Sequence, residues 1–256
     1  MNNKTINILA IVILTALVLL QLFIGISLWY YALLVLLFSG IKAYGSVTLS
    51  SNFFTPAKCK GDQQSGTVAL TFDDGPVPGM TDQILSILQA HHIKAAFFCI
   101  GNRVVNNPEL LKKIHEQGHL VGNHSFLHGK FFDLQSAEKM SNELQLTDAA
   151  IEKTIQVKPR FFRPPYGVTN PSLAKAIKKG NYITTGWSIR SMDTMIKNEE
   201  KLFRSVTKRL KAGDVILFHD FSEATIAILP RVIEHIAKHG LKVARLDELL
   251  NERPYA

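Results

Sequence analysis

The chain has 256 residues, 46% of them hydrophobic and 20% charged, with a formal net charge of +8. Its first 60 residues hold Lys4, Lys42, Lys58 and Lys60 and no acid, so the remainder carries only +4. No dense Lys/Arg run interleaved with aromatics is present, which argues against a nucleic-acid partner, and the residues after the apolar N-terminus suit one domain with a sizeable core.

From residue 6 to residue 38 no side chain is charged. One membrane span needs about 20 apolar residues, so this run is long for one helix and short for two. The reading is a transmembrane segment over 1–44, as two short helices, roughly 5–24 and 28–44, reversing near Gly25 and Ser27. A single tilted helix with an interfacial extension is the alternative. A cleaved signal peptide is disfavoured, because its apolar region is usually about 7–15 residues. Lysines flank both ends of the run, and by the positive-inside rule the downstream side would stay cytoplasmic. Large folded domains, however, cross membranes largely regardless of charge.

A linker over 45–66 is rich in Ser, Thr, Asn and Gly. Beyond it, a domain over 67–256 alternates apolar runs with helical patterns. Strands are expected at 68–72, 94–100, 119–122, 160–162, 182–189, 214–218 and 241–246. Helices are expected at 81–91, 108–117, 136–155, 171–179, 199–211 and 225–238, with Asp247 capping a last short one. About seven βα units predict a parallel sheet with helices outside and a site at the carboxyl ends of the strands. Cys59 and Cys99 read as unrelated thiols, with a bridge possible in an oxidising compartment.

The polar signatures fall at those strand ends. Thr71-Phe72-Asp73-Asp74-Gly75-Pro76 ends the first strand with two carboxylates. Neighbours on a strand point to opposite faces, so one Asp can bind a metal while the other stays free as a base. His124-Ser125-Phe126-Leu127-His128 spaces two imidazoles by four, which on one helical turn puts both on one face. Two His and one Asp make a three-ligand metal set with a fourth position open. Arg163-Pro164-Pro165-Tyr166-Gly167 combines a strand-end Arg, able to fix a carboxylate, with a stiff backbone. Asp193 follows the fifth strand, and Leu217-Phe218-His219 ends the sixth. The other six His, among them His119, read as solvated or structural.

Together these stretches resemble the polysaccharide deacetylase family, also called the NodB homology domain or carbohydrate esterase family four. The resemblance runs from about residue 68 to 250 and rests on T-F-D-D-G-P, H-S-x-x-H and R-P-P-Y-G in that order, with L-x-H after them. It implies a distorted (β/α)7 barrel preceded by the N-terminal transmembrane segment. It implies that Asp74, His124 and His128 bind a divalent metal, usually zinc, with cobalt or manganese as substitutes. Asp73 would be the general base and His219 the general acid. Arg163 would position Asp73, and Asp193 would favour protonated His219. The Tyr166 N–H would hold the oxyanion, and Leu217, Tyr166 and Pro165 would contact substrate. One motif departs: where the family pattern reads D-x-x-D-W, this chain has Arg190 and Thr194 at the first and last positions. Trp187, seven residues before Thr194, is not taken as a replacement.

The implied activity is hydrolysis of N-acetyl groups on a polysaccharide containing N-acetylglucosamine, whether peptidoglycan-like, chitin-like or exported. Alternatives are a deacylase (deformylase) of a lipid-linked amino sugar, an O-acetyl xylan esterase, or an inactive carbohydrate-binding domain. The expected partners are that glycan and the membrane, with the catalytic domain on the extracytoplasmic side.

Overall fold

A computed structural model describes residues 2–256. Two helices come first, α1 (Asn3–Ile24) and α2 (Trp29–Val47). The Asn2 side chain caps α1 by accepting from the Thr5 N–H, and Gly25, at φ +61°, ends it. At about 1.5 Å per residue they span roughly 33 and 28 Å, close to a hydrocarbon core of about 30 Å. By length and composition both can cross a membrane, and their apolar side chains point outward.

The hairpin's open end is fastened to the rest of the chain. Phe53 packs with Ile6 and Phe38, and its ring lies so close to Gly45 that a Cβ there would sit 2.3 Å away. Thr169 and Ser46 exchange two bonds: the Thr169 N–H donates to Ser46 O (2.9 Å) and Ser46 Oγ to Thr169 O (2.6 Å). Helix α2 therefore runs to Val47, into the expected linker.

The remaining elements alternate. They are β1 (Thr67–Asp73), α3 (Met80–Ala90), β2 (Ala96–Cys99), α4 (Gly101–Asn106), α5 (Pro108–Glu116), β3 (Leu120–Asn123), α6 (Ala137–Ile155), β4 (Phe161–Phe162) and α7 (Pro171–Gly180). Then come β5 (Ile183–Thr184), β6 (Ile189–Arg190), α8 (Glu199–Thr207), β7 (Val215–His219), α9 (Glu223–Lys238), β8 (Lys242–Val243) and α10 (Leu246–Leu250). Every strand pairing is parallel, in the order β5-β4-β3-β2-β1-β7-β6, with β8 on the start of β1. The two edges, β5 and β6, are joined by only residues 185–188, so the sheet must curl until its edges nearly meet. This is the distorted (β/α) barrel expected.

Strand alternation sorts the core into two layers. Leu70, Phe72, Phe97, Cys99, Ile216 and Phe218 face outward and pack under the helices. Ala69, Ala96, Phe98, Leu120, Phe161 and Val215 face inward, with Leu246, Leu249 and Leu250 of α10 against them. By the same alternation Thr71 and Asp73 of β1, and Leu217 and His219 of β7, belong to the inner face at its carboxyl end.

Several expectations change. The strand expected at 182–189 is two short strands, because the chain crosses there from one sheet edge to the other. Helix α4 was not foreseen, since Gly101, Asn102 and Asn106 carry little helical signal. Asp247 does not cap α10; it lies in the first turn and pairs with Arg245, while the Arg245 N–H donates to Glu248 (3.2 Å). Cys59 and Cys99 are both free, the latter fully buried on the outer layer.

Candidate active site

The site starts at the end of β1. Asp73 is buried on the inner face. Asp74 would point the other way if the strand continued, but its φ is +76°, a left-handed conformation that Asp tolerates better than most residues. The reversal brings both carboxylates to one pocket, correcting the opposite-face expectation. It is held by the Asp74 N–H donating to Phe98 O (3.2 Å) and by Arg103 Nη1 donating to Asp74 O (2.6 Å).

Arg163 crosses the barrel interior beneath the pocket. Its side chain is fully buried and lies 4.1 Å over the Phe98 ring. Nη1 donates to Asp73 Oδ1 (2.7 Å) and Thr71 Oγ1 (2.8 Å), and Nη2 to Gly186 O (2.8 Å). One oxygen of Asp73 is thus pinned and the other, Oδ2, left toward the pocket, 3.8 Å from His124 Nε2. Arg163→Met would strand a buried carboxylate, a loss of about 3–5 kcal/mol. The expected result is a clearly lower denaturant midpoint with unchanged slope.

The two imidazoles sit in the loop after β3, not on a helical turn. Ser125 (φ +62°) and His128 (φ +51°) are both left-handed. Asn123 Oδ1 accepts from the Ser125 N–H (2.9 Å), Ser125 Oγ from the His128 N–H (3.1 Å), and Glu143 of α6 from the Phe126 and Leu127 N–H groups. His124 Nδ1 lies 2.7 Å from Arg163 O. A carbonyl only accepts, so Nδ1 carries the proton and Nε2 presents its lone pair to the pocket.

Asp74 Oδ1 lies 3.4 Å from both His124 Nε2 and His128 Nε2, and the three potential ligand atoms are all within 4.8 Å of one another. Asp74 Oδ1 is also buried without a hydrogen-bond donor, an arrangement that costs free energy unless something positive faces it. Ligands at about 2.0–2.1 Å around a tetrahedral ion lie roughly 3.4 Å apart, so the residues fit a divalent cation. Burial works against ionising Asp74, but the neighbouring imidazole of His124, then those of His128 and His219, hold its carboxyl well below the usual range.

On the other side stands His219. Its Nδ1 lies 2.7 Å from Asp193 Oδ1, and its backbone N–H donates to Asp193 Oδ2 (2.8 Å), which also accepts from Thr225 Oγ1 (2.6 Å). Burial pushes the imidazole pKa down, but the Asp193 hydrogen bond and charge, helped by Asp73 and Asp74, leave it raised overall. Asp193 is wholly buried, behind His219 and outside the pocket lining. His119 is buried and structural: its Nδ1 accepts from the Ala95 N–H (3.1 Å), and burial lowers its pKa to about 4.

The residues enclose a cavity of about 210 Å³. A family model described as "Polysaccharide deacetylase" matches residues 60–184. A peptidoglycan-N-acetylglucosamine deacetylase of Bacillus cereus is 35% identical over 188 residues, 72% of this chain and 87% of that one. The chain belongs to the polysaccharide deacetylase family. A chitooligosaccharide deacetylase of Bradyrhizobium is 34% identical over 72% of this chain and 92% of its own length. The solved peptidoglycan deacetylase PdaC from Bacillus subtilis superposes with a TM-score of 0.68 at 30% identity, over 73% and 91% of the two chains. The chain is thus a carbohydrate deacetylase by family.

In this polysaccharide deacetylase Asp73, Asp74, His124, His128, Leu217 and His219 all line the cavity. Tyr166, at φ +58°, lines it too, its ring 4.8 Å from that of His128. Pro165 does not: it is buried, and Pro164 takes that place. Trp187, set aside on sequence spacing, is a wall of the cavity, its ring filling the space where a Cβ on Gly167 would lie 2.4 Å away. Arg190 and Thr194 complete the lining. Asp220 escaped the sequence reading altogether. It is fully buried, accepts from Thr81 Oγ1 (2.7 Å), and burial pushes its carboxyl up to about 7. Its position directly after His219 was the available signal.

Proposed function

We propose that the chain hydrolyses the N-acetyl group of N-acetylglucosamine in a peptidoglycan- or chitin-like polymer, releasing acetate and leaving a free amine. The observation that carries this reading is the convergence of Asp74, His124 and His128 on one point with the carboxylate of Asp73 and the imidazole of His219 lining the same cavity. The names of the Bacillus and Bradyrhizobium relatives support the substrate class.

Asp74, His124 and His128 would hold the cation, taken to be zinc, which when bound supplies Lewis-acid polarisation of the acetamide carbonyl. Asp73, with one oxygen on Arg163 and the other free, takes a proton from the attacking water. The backbone N–H of Tyr166 donates to the developing oxyanion. His219, protonated and oriented by Asp193, gives its proton to the departing nitrogen as the C–N bond breaks. Leu217 borders the acetyl methyl.

This assignment fixes a pH dependence. His219 works while protonated, and its raised pKa extends the active range above its ordinary value of 6.5. Asp193→Asn removes the largest raising influence, so the alkaline limb of the kcat profile moves to lower pH. A profile that does not move would remove Asp193 from this role.

We also propose that α1 and α2 anchor the chain in a membrane and that residues 67–256 form the catalytic domain outside it; a reporter fused after Ala256 tests the side. The bonds between Thr169, three residues past Tyr166, and Ser46 of α2 support a second reading, a lipid-linked amino sugar presented at the membrane. The discriminating experiment uses the full-length chain in detergent with N-acetylglucosamine oligomers, acetylated xylan oligomers and an N-formylated lipid-linked amino sugar. Acetate from the first is expected. Product from only one of the others would replace the reading accordingly.

A further inference from the structure

Arg190 stands apart from the groups used above. It pairs with Leu217 across the β6–β7 ladder, as Ile189 pairs with Ile216. Paired residues on neighbouring strands share a face. Ile189 and Ile216 pack in the outer layer, so Arg190 projects on the inner face with Leu217 and His219, into the cavity it lines. Its guanidinium carbon lies 5.7 Å from the Trp187 ring centroid, and that ring is itself backed against Gly167.

Arg163 and Arg190 differ in their charge balance. Arg163 is fully buried and neutralised by Asp73. Arg190 is exposed and, among the described residues, its side chain makes no ion pair or hydrogen bond. The acids lining the cavity are Asp73 and Asp74, one committed to Arg163 and the other facing the two imidazoles. The cavity wall therefore presents one uncommitted guanidinium, whose planar fork matches a carboxylate or phosphate.

We propose that Arg190 forms an anion subsite, so that the preferred substrate is an acetylated amino-sugar polymer carrying a carboxylate or phosphate on, or next to, the sugar being deacetylated. The proposal rests on the deacetylase reading and narrows it.

The test uses the full-length chain in detergent and three oligomers of equal length. One is neutral N-acetylglucosamine, one alternates it with N-acetylmuramic acid, whose lactyl ether bears a carboxylate, and one carries a phosphate monoester. The readout is the ratio of kcat/KM on each anionic oligomer to that on the neutral one, so a general loss of activity cancels. Wild type should favour one anionic oligomer, and whichever it is names the anion. Arg190→Gln should lower that ratio about tenfold, the weight of one charge-assisted contact. Arg190→Lys should recover part of it, and added salt should lower the ratio in wild type but not in Arg190→Gln. An equal ratio in wild type and Arg190→Gln overturns the subsite. If wild type releases acetate from none of the three, the deacetylase reading fails separately. Calorimetric titration with the same oligomers then decides the subsite: tighter binding of an anionic oligomer that Arg190→Gln abolishes keeps it, and binding indifferent to Arg190 overturns it.

Discussion

Asp73→Asn should leave metal binding intact and cut acetate release by about 10²–10⁴-fold, the usual weight of a positioned general base. The substitution is nearly isosteric. The retained carbonyl oxygen can still accept from Arg163 Nη1, as Asp73 Oδ1 does at 2.7 Å, so the barrel interior keeps its packing. What disappears is the free oxygen able to take a proton. Asp73 contributes no atom to the three-ligand group, so metal content by elemental analysis should stay at the wild-type value. Near-normal turnover would remove Asp73 from the role of base.

Asp74→Ala should behave in the opposite way, losing metal and activity together. Asp74 supplies the oxygen of a set whose other members are imidazoles, and its Oδ1 has no other partner. Loss of a direct ligand should cost more affinity than the roughly 10–100-fold attributed to groups that merely orient ligands. Acetate release should fall to assay background, with metal content falling in parallel. A variant that kept full metal and lost only activity would mean that the cation sits elsewhere. The pair separates binding from proton transfer with two adjacent residues, and the physical basis of the separation is the left-handed turn at Asp74.

That turn also marks where sequence reading stops. The apolar run leading to Asp73, the helix-closing glycines and the strand-end polar stretches follow from local periodicity and propensity, so the alternating β/α order was legible, while its closure into a barrel was implied by the resemblance. Three strand-end groups, Asp73, Arg163 and His219, were assigned roles through the motifs that resemble the family, and the period of two along their strands then accounts for their place on the inner face. The His124–His128 spacing was read as a helical turn, whereas Ser125 and His128 have positive φ and the two N–H groups between them are held by Glu143 of α6, a contact no local pattern shows. The strand expected at 182–189 failed for a related reason: its halves pair with β4 and β7, and only the closing of the sheet tells them apart. The same crossing carries Trp187 into the cavity and turns Arg190 inward through its register with Leu217. No spacing rule reveals either.

The most direct test of the account is to strip the full-length chain with chelator and add zinc back while following acetate release from an N-acetylglucosamine oligomer. The account predicts no release from the stripped protein and a linear recovery that ends at one zinc per chain, as one three-ligand group requires. Release at the wild-type rate without metal, or none with one zinc bound, would contradict it.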